Sequence, residues 1–224
     1  MMYALRKPYS TLGGIMNYEL FQVINNLAGI SPILDHFMIY IVKFSAPIMA
    51  ILVATLLGLG LYTKDKELTM NSIHTILLLG ITLAIHQVIG FFYVEPRPFV
   101  SHTVNLLLVH SADPSFPSTH AMGMSAIALS LFAVYKRLGS ILIALTLLTG
   151  FAKIFVGHHY PIDIIGGFII TYVLFLLYNK LLKQRITPYI SNLKHMQRHL
   201  STIFKRSSVL IIESQRPLTK RFTK

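Results

Sequence analysis

Polar residues able to bind an anion occur in three short groups within otherwise apolar sequence. The first group contains Arg97, the second contains Ser118 and His120, and the third contains His159 and Asp163. An arginine offers two parallel N–H donors to phosphate oxygens. Either Ser118 or Thr119 is suited to be the N-cap of a helix, whose first backbone N–H groups stay free for the same purpose. The residue types therefore predict an anion site, and phosphate is the anion that suits them best.

The third group has the spacing of an activated imidazole. His159 and Asp163 are four residues apart across Pro161, a residue that favours the first position of a helix. A carboxylate in that first turn can hold one ring nitrogen of His159 and leave the other as a nucleophile or base. His120, at the start of another helix, is suited to protonate a leaving oxygen, and Lys153 adds a point charge for the phosphate.

Other polar residues carry weaker predictions. Glu95 and His158 are secondary candidates for a role at the site. We expect His86 and Gln87, within an apolar segment, to form hydrogen bonds inside a helix bundle. The acidic residues are isolated along the chain and cysteine is absent, so neither a Mg²⁺ cluster nor a thiolate site is predicted. We expect no metal and no cofactor.

The composition is typical of an integral membrane protein. Of the 224 residues, 54% are hydrophobic and 12% are charged. The net charge of +12 could indicate nucleic acid, but 11 of the 20 Lys and Arg residues follow Tyr178, outside the apolar part of the sequence, and few aromatic residues stand among them. We interpret this basic tail as a contact with an anionic membrane surface and predict no nucleic-acid partner.

The apolar pattern predicts an all-α protein with about five transmembrane helices. The predicted spans are residues 44–62, 73–92, 119–135, 138–156 and 162–182. Before them, residues 17–29 place Leu20, Phe21, Ile24 and Leu27 on one face of an amphipathic helix, which we expect to lie on the membrane surface. The three polar groups must then be positioned by the ends of these helices.

Charged turns predict the orientation and the domain organisation. The turns at Lys64 and Lys136 and the basic tail share one face, which the positive-inside rule assigns to the cytoplasm. The loop 93–118 and the break at 157–161 lie on the opposite, outer face. We predict an N-terminal extension over residues 1–16, where an alternative start at Met16 stays open, and a membrane domain over residues 17–187. Residues 188–224 are predicted to form a cytoplasmic tail. Part of this tail, residues 193–204, is expected to be an amphipathic helix, and part is expected to be disordered.

Three motifs resemble the type 2 phosphatidic acid phosphatase (PAP2) family, whose helical core is shared with vanadium haloperoxidases. They are Arg97-Pro98, Pro117-Ser118-Thr119-His120, and Lys153 followed by His159 and Asp163. The chain departs from the family pattern at several positions. Gly90 stands where the family has a lysine, and Thr119 stands where it has a glycine. Ala152 stands where the family has a serine, and Lys153 stands where it has an arginine. The resemblance implies that His159 forms a phosphohistidine, Asp163 orients it and His120 protonates the leaving group. Arg97, Ser118, Thr119 and Lys153 are the implied phosphate-binding residues.

A closer resemblance is to the bacitracin-resistance undecaprenyl diphosphatases of bacteria. It covers most of residues 16–182 and includes the run Glu95-Pro96-Arg97-Pro98-Phe99-Val100 and the run Gly157-His158-His159-Tyr160-Pro161. It implies removal of the terminal phosphate of undecaprenyl diphosphate at the outer face of the cytoplasmic membrane. A phosphatidate or phosphatidylglycerophosphate phosphatase and, from another class, a small anion transporter are the alternatives. The sequence leaves the oligomeric state open.

Overall fold

The structure is a computed structural model that describes the backbone of residues 12–190 and the side chains of residues 16–190. The chain divides into two compact units, residues 1–179 and residues 180–224. In the first unit, all regular structure among the described residues is helical. The described residues of the second unit, 180–190, are also helical. The predicted all-α class is confirmed.

Seven α-helices precede a short π-helical segment. They are α1 Leu12–Asn25, α2 Pro32–Tyr62, α3 Lys66–Phe92, α4 Pro98–Ser101, α5 Thr119–Val134, α6 Lys136–Phe155 and α7 Pro161–Leu177, followed by Tyr178–Lys183. Four helices in the described part are long and apolar enough to cross a membrane: α2, α3, α6 and the helix that runs from Pro161 to Ile190. The remaining predicted span, the third in chain order, corresponds to α5, which is shorter at 16 residues. The protein is a multi-pass membrane protein.

Helix α5 is the central element of the first unit. It packs against α3, α6 and α7, and also against α2. Every residue from 121 to 128 is buried, so two turns of this helix have no lipid-facing side. Small residues permit the close packing, since a Cβ on Gly167 of α7 would come within 2.9 Å of the Ala121 Cβ. The helix that carries Ser118 and His120 at its start is therefore held from all sides.

The starts of α5 and α7 are tied to each other. Of the two N-cap candidates, Ser118 and Thr119, it is Ser118 that caps α5, and its hydroxyl oxygen accepts a hydrogen bond from the Ala121 N–H at 3.4 Å. Pro161 occupies the first position of α7, which places Asp163 in the first turn. The Ser118 N–H donates to the Asp163 carbonyl at 3.1 Å. The two helix starts therefore lie side by side at one end of the bundle.

Helix α1 corrects the predicted amphipathic face. It begins and ends earlier than the predicted segment 17–29, and Leu20, expected on its apolar face, is 56% exposed. The buried face contains Phe21, as predicted, but also Asn25. Asn25 points inward because its side-chain amide donates to the carbonyls of Asn105, at 2.9 Å, and Phe155, at 2.8 Å. The hydrogen bonds to these buried carbonyls offset the cost of burying the polar side chain of Asn25.

Several predictions concern residues beyond those described. The amphipathic helix at 193–204, the disordered end and most of the N-terminal extension lie outside the described residues. The domain boundary at residue 188 and the membrane-surface location of α1 stay predictions.

Candidate active site

The three predicted polar groups meet at one end of the helix bundle. The carboxyl ends of α3 and α6 and the amino ends of α5 and α7 lie there, because these helices alternate in direction. The connections 93–118 and 156–160 supply the remaining side chains. Arg97 from the first group lies 3.0 Å from His159 of the third, measured between Nη1 and Nε2. Residues 62 positions apart in sequence are thereby in direct contact.

The two nitrogens of His159 have different partners. Nδ1 lies 3.4 Å from the Asp163 Oδ2 atom, and Nε2 lies 3.0 Å from the Arg97 guanidinium. A guanidinium can only donate hydrogen bonds, so Nε2 must be the acceptor. The proton of the neutral ring then resides on Nδ1, facing the carboxylate. This tautomer leaves a lone pair on Nε2, as a nucleophile requires.

Asp163 is fully buried, and two donors hold its Oδ2 atom. Its Oδ2 atom accepts a hydrogen bond from the Ser115 hydroxyl at 2.5 Å and one from the Tyr160 N–H at 2.8 Å. Ser115 was not among the predicted site residues. Nothing in the local sequence indicates its contact, because its partner lies 48 residues further along the chain.

Arg97 is braced on both sides of the site. Its Nε and Nη2 atoms donate to the carbonyl and the carboxylate of Asp113 at 3.1 and 3.2 Å. Its Nη1 atom donates to the His158 carbonyl at 3.1 Å. The side chain is only 2% exposed, and a buried guanidinium is tolerable when its donors are satisfied in this way. The bracing fixes the direction in which Arg97 reaches His159.

Two pKa values outside the helices set the charge of the site. Burial alone would raise the pKa of Asp113, but hydrogen bonds from Ser111 and Arg97 lower it to about 2, so this carboxylate is charged at neutral pH. Burial, together with the positive charges of Arg97 and Lys153, lowers the pKa of His159 well below its usual value of 6.5. His159 is therefore neutral near pH 7.

Lys153 and His120 complete the predicted set. Lys153 lies in the last turn of α6, is 2% exposed and interacts electrostatically with Arg97 and Asp113. His120 is the second residue of α5 and interacts electrostatically with Lys153 and His159. Both side chains thus belong to the same cluster as the nucleophile candidate.

The secondary candidates stabilise the surrounding loops. His158 donates from Nε2 to the Leu108 carbonyl at 2.7 Å, while its own carbonyl holds Arg97. Glu95 accepts a hydrogen bond from the Tyr93 hydroxyl at 2.8 Å, and its carbonyl accepts one from the Ser115 N–H at 2.7 Å. These contacts place both residues around the site, where they position groups that form it.

Thr119 makes a contact that the sequence did not predict. Its hydroxyl lies 2.8 Å from Nε2 of His86 on α3. The expectation that His86 forms a hydrogen bond inside the bundle is confirmed. The same expectation for Gln87 is wrong, because Gln87 is exposed. Its side chain follows His86 by about 100° around α3, which turns it away from the neighbouring helices.

Metal-ligand side chains are not grouped in the described part of the chain. Among those residues, no three His, Asp or Glu side chains are arranged to hold a metal ion. The positive charge available to a phosphate at this site is that of Arg97 and Lys153.

Comparisons with known proteins show the family of this chain. Residues 71–187 match the PAP2 superfamily. The chain belongs to the PAP2 superfamily. It is 38% identical to the undecaprenyl-diphosphatase BcrC of Bacillus subtilis over 167 residues, which cover 73% of this chain and 82% of that protein. It is 30% identical to the putative undecaprenyl-diphosphatase YbjG of Escherichia coli over 154 residues, which cover 68% of this chain and 75% of that protein.

The fold of this PAP2 protein also matches a solved structure. The crystal structure of LpxE from Aquifex aeolicus aligns with a TM-score of 0.62 and 27% sequence identity. The alignment covers 74% of this chain and 95% of LpxE. The predicted PAP2-like helical core is confirmed, and the chain is a membrane phosphatase by family and fold.

Proposed function

We propose that this protein hydrolyses undecaprenyl diphosphate to undecaprenyl phosphate and orthophosphate through a phosphohistidine on His159. The observation that carries the proposal is the line of contacts from Asp163 through His159 to Arg97. It presents a neutral imidazole whose Nε2 lone pair points at the group best suited to bind a phosphate. The two named undecaprenyl-diphosphatase relatives support the choice of substrate.

In the first step, the distal phosphate of the substrate takes over the hydrogen bond that Arg97 makes with His159. The Nε2 lone pair attacks the phosphorus, the N–P bond forms, and the bond from phosphorus to the bridging oxygen breaks. His120 donates a proton to the departing oxygen. Asp163 stabilises the positive charge that develops on the imidazole ring.

Positive groups and N–H donors hold the transferring phosphate. Arg97 contributes a fork of donors and Lys153 a point charge. The backbone N–H groups of Thr119 and His120 begin α5 and have no acceptor within the helix. The Ser118 hydroxyl oxygen already caps the helix, so its proton is available to a phosphate oxygen. These groups stabilise the charge of the transition state.

In the second step, water attacks the phosphohistidine. His120, now neutral, takes a proton from the water while the N–P bond breaks and its electron pair returns to Nε2. Orthophosphate leaves, and the site regains its starting protonation. One water molecule is consumed for each phosphate released.

The distribution of basic residues supports an outward-facing site. Lys64, Lys136 and Arg137 are exposed at the end of the bundle opposite His159. The positive-inside rule assigns that end to the cytoplasm, and hence the site to the outer face of the bacterial cytoplasmic membrane. At that face, the reaction recycles the lipid carrier for cell-wall synthesis and confers resistance to bacitracin.

A substrate panel tests the proposed function. The purified protein is assayed for phosphate release from undecaprenyl diphosphate, phosphatidate and phosphatidylglycerophosphate, each with and without a chelator. We expect the diphosphate to be the best substrate under both conditions. We expect His159→Ala to abolish the activity and His36→Ala, which changes an exposed histidine of α2, to retain it. A preference for phosphatidate, or full activity of His159→Ala, contradicts the proposal.

A further inference from the structure

A second polar pair lies beside the site, between α3 and the start of α5. His86 and Thr119 are in contact, with 2.8 Å between Nε2 and Oγ1. In the chain, Thr119 stands between Ser118, which caps α5, and His120, the proposed acid. His86 therefore touches the residue that joins these two groups. The proposed mechanism uses only the backbone of Thr119 and does not use His86.

Helix geometry places His86 on the membrane side of the reaction centre. His86 is six residues before the end of α3 at Phe92, which corresponds to about 9 Å along the helix. Gly90, one turn closer to the end, lies on the same face of α3. A Cβ there would have only the Pro114 Cβ nearby, at 4.0 Å. The face of α3 above His86 is therefore open toward the loop that carries Asp113 and Ser115.

The pair retains a proton that its own contact does not use. A neutral imidazole carries one N–H and threonine one O–H, and their mutual hydrogen bond uses one of the two. If Thr119 donates to Nε2, the Nδ1–H of His86 remains; if Nε2–H donates, the Thr119 hydroxyl proton remains. Nδ1 is buried and has no partner within hydrogen-bonding geometry among the described residues. The ring also interacts with the backbone carbonyl of Pro117 and, electrostatically, with Asp113 and Arg97.

A lipid diphosphate presents a second anion to this side of the site. His159 attacks the distal phosphorus, and the lipid tail must run into the bilayer. The phosphate attached to the lipid therefore lies on the membrane side of the reacting phosphorus. Negative charge develops on it as the bridging bond breaks, so a donor placed there stabilises the transition state.

We propose that His86 and Thr119 bind the lipid-bound phosphate of a diphosphate substrate and make the enzyme selective for diphosphates over monophosphates. The inference rests on the proposed diphosphatase function. His86 and Thr119 supply the unused donor described above, and each holds the other in place.

The first experiment compares farnesyl diphosphate with farnesyl monophosphate, which share one tail. We expect His86→Ala to lower kcat/KM for the diphosphate about 10-fold more than for the monophosphate, because a site that hydrogen-bonds a group discriminates against substrates that lack it. Thr119→Val, which removes only the hydroxyl, should shift the ratio in the same direction. Gln87→Ala, the exposed neighbour on α3, should leave the ratio unchanged. Equal losses on both substrates, or an unchanged ratio in both pair variants, overturn the inference.

A second experiment separates this inference from the proposed function. Inorganic pyrophosphate and orthophosphate are compared as inhibitors of whichever lipid phosphatase activity the wild-type protein shows. We expect pyrophosphate to inhibit the wild-type protein at least about 10-fold more tightly, and His86→Ala and Thr119→Val to lose that difference. If phosphatidate proves the better substrate, the proposed function fails, yet a pyrophosphate preference that depends on His86 still supports the site. A preference absent from the wild-type protein, or retained in both variants, overturns it.

Discussion

Both ends of the helix bundle carry charged residues, but they differ in burial. At the proposed active site, Arg97 and Lys153 are 2% exposed and Asp163 is 0% exposed. At the opposite end, the residues of the turn 64–67 are exposed, as are Lys136 and Arg137. At the first end, Arg97 and the Oδ2 atom of Asp163 are held by fixed hydrogen-bond partners inside the protein, whereas the charges at the other end are solvated.

The exposed charges have local roles. Asp65 is the N-cap of α3 and accepts a hydrogen bond from the Leu68 N–H at 3.0 Å. Lys136 lies over the Phe132 ring, 4.1 Å from its centroid. Exposed charged contacts contribute little to stability, whereas a buried charge is costly unless every donor or acceptor is satisfied. The arrangement of partners, and not the number of charges, distinguishes a site from a charged surface.

The largest effect is expected from removing the charge of the buried carboxylate. Asp163→Asn keeps the shape of the side chain but loses the charge that stabilises the imidazolium and fixes the Nδ1–H tautomer. We expect kcat to fall on the order of 10³-fold. The matched control is Asp65→Asn at the opposite end, because asparagine also caps helices and the activity should change less than about 2-fold. Similar losses in both variants would contradict the comparison between the two ends.

A smaller effect is expected from the hydroxyl that supports this carboxylate. Ser115→Ala removes the donor at 2.5 Å from Asp163 Oδ2 but leaves the Tyr160 N–H in place. Hydrogen bonds to charged groups contribute about 1.5–3 kcal/mol, so we expect kcat to fall about 10-fold or somewhat more. Ser140→Ala, which changes an exposed serine of α6 at the opposite end of the bundle, is the control and should leave kcat unchanged. An unchanged kcat in Ser115→Ala would show that Asp163 is held without it.

The acidic side of the pH profile tests how burial and positive charge act on His159. Its pKa is lowered by burial, Arg97 and Lys153, so the neutral nucleophile persists at pH values below 6.5. Arg97→Gln removes one positive charge, which makes protonation of His159 easier and raises its pKa. The acidic limb of kcat/KM should therefore move to higher pH in this variant, whatever its maximal rate. The same limb in both proteins, measured with one substrate, would contradict the assignment.

The smallest effect is expected at the exposed end. The double change Lys136→Ala and Arg137→Ala removes two cations that lie in solvent. Substitutions of this kind usually change stability by no more than about 0.5 kcal/mol, and we expect kcat/KM to change less than about 2-fold. Phosphate release and thermal unfolding in detergent check both quantities. A large loss of activity would mean that the two ends are coupled.

The motif residues show which parts of the site could be predicted from the sequence. Ser118 as the N-cap of α5 and Asp163 in the first turn of α7 follow from local rules, since serine caps helices and proline starts them. Ser115 and Asp113 could not be assigned in this way. Ser115 contacts Asp163 at the start of α7, and Asp113 contacts Arg97 across the folded site. No local sequence pattern predicts either contact.

In the apolar segments too, some features could be predicted from the sequence and others could not. Their length and composition predicted the membrane helices and the end of the bundle at which the polar groups would lie. They did not predict the inward face of α1, because Asn25 turns inward only where carbonyls of Asn105 and Phe155 require a donor.

The amino-acid sequence alone was enough to predict the helical membrane class, the three polar groups and the proximity of His159 to Asp163. These features depend on residues close together in the chain. Two other features are visible only in the folded protein: the His159 nitrogen that faces Arg97, and the serine that donates a hydrogen bond to Asp163. The tertiary structure also decided that His86 meets Thr119, a pair 33 residues apart. The physical reason is that the charge and tautomer of a buried group depend on partners brought together by packing, whatever their separation in sequence.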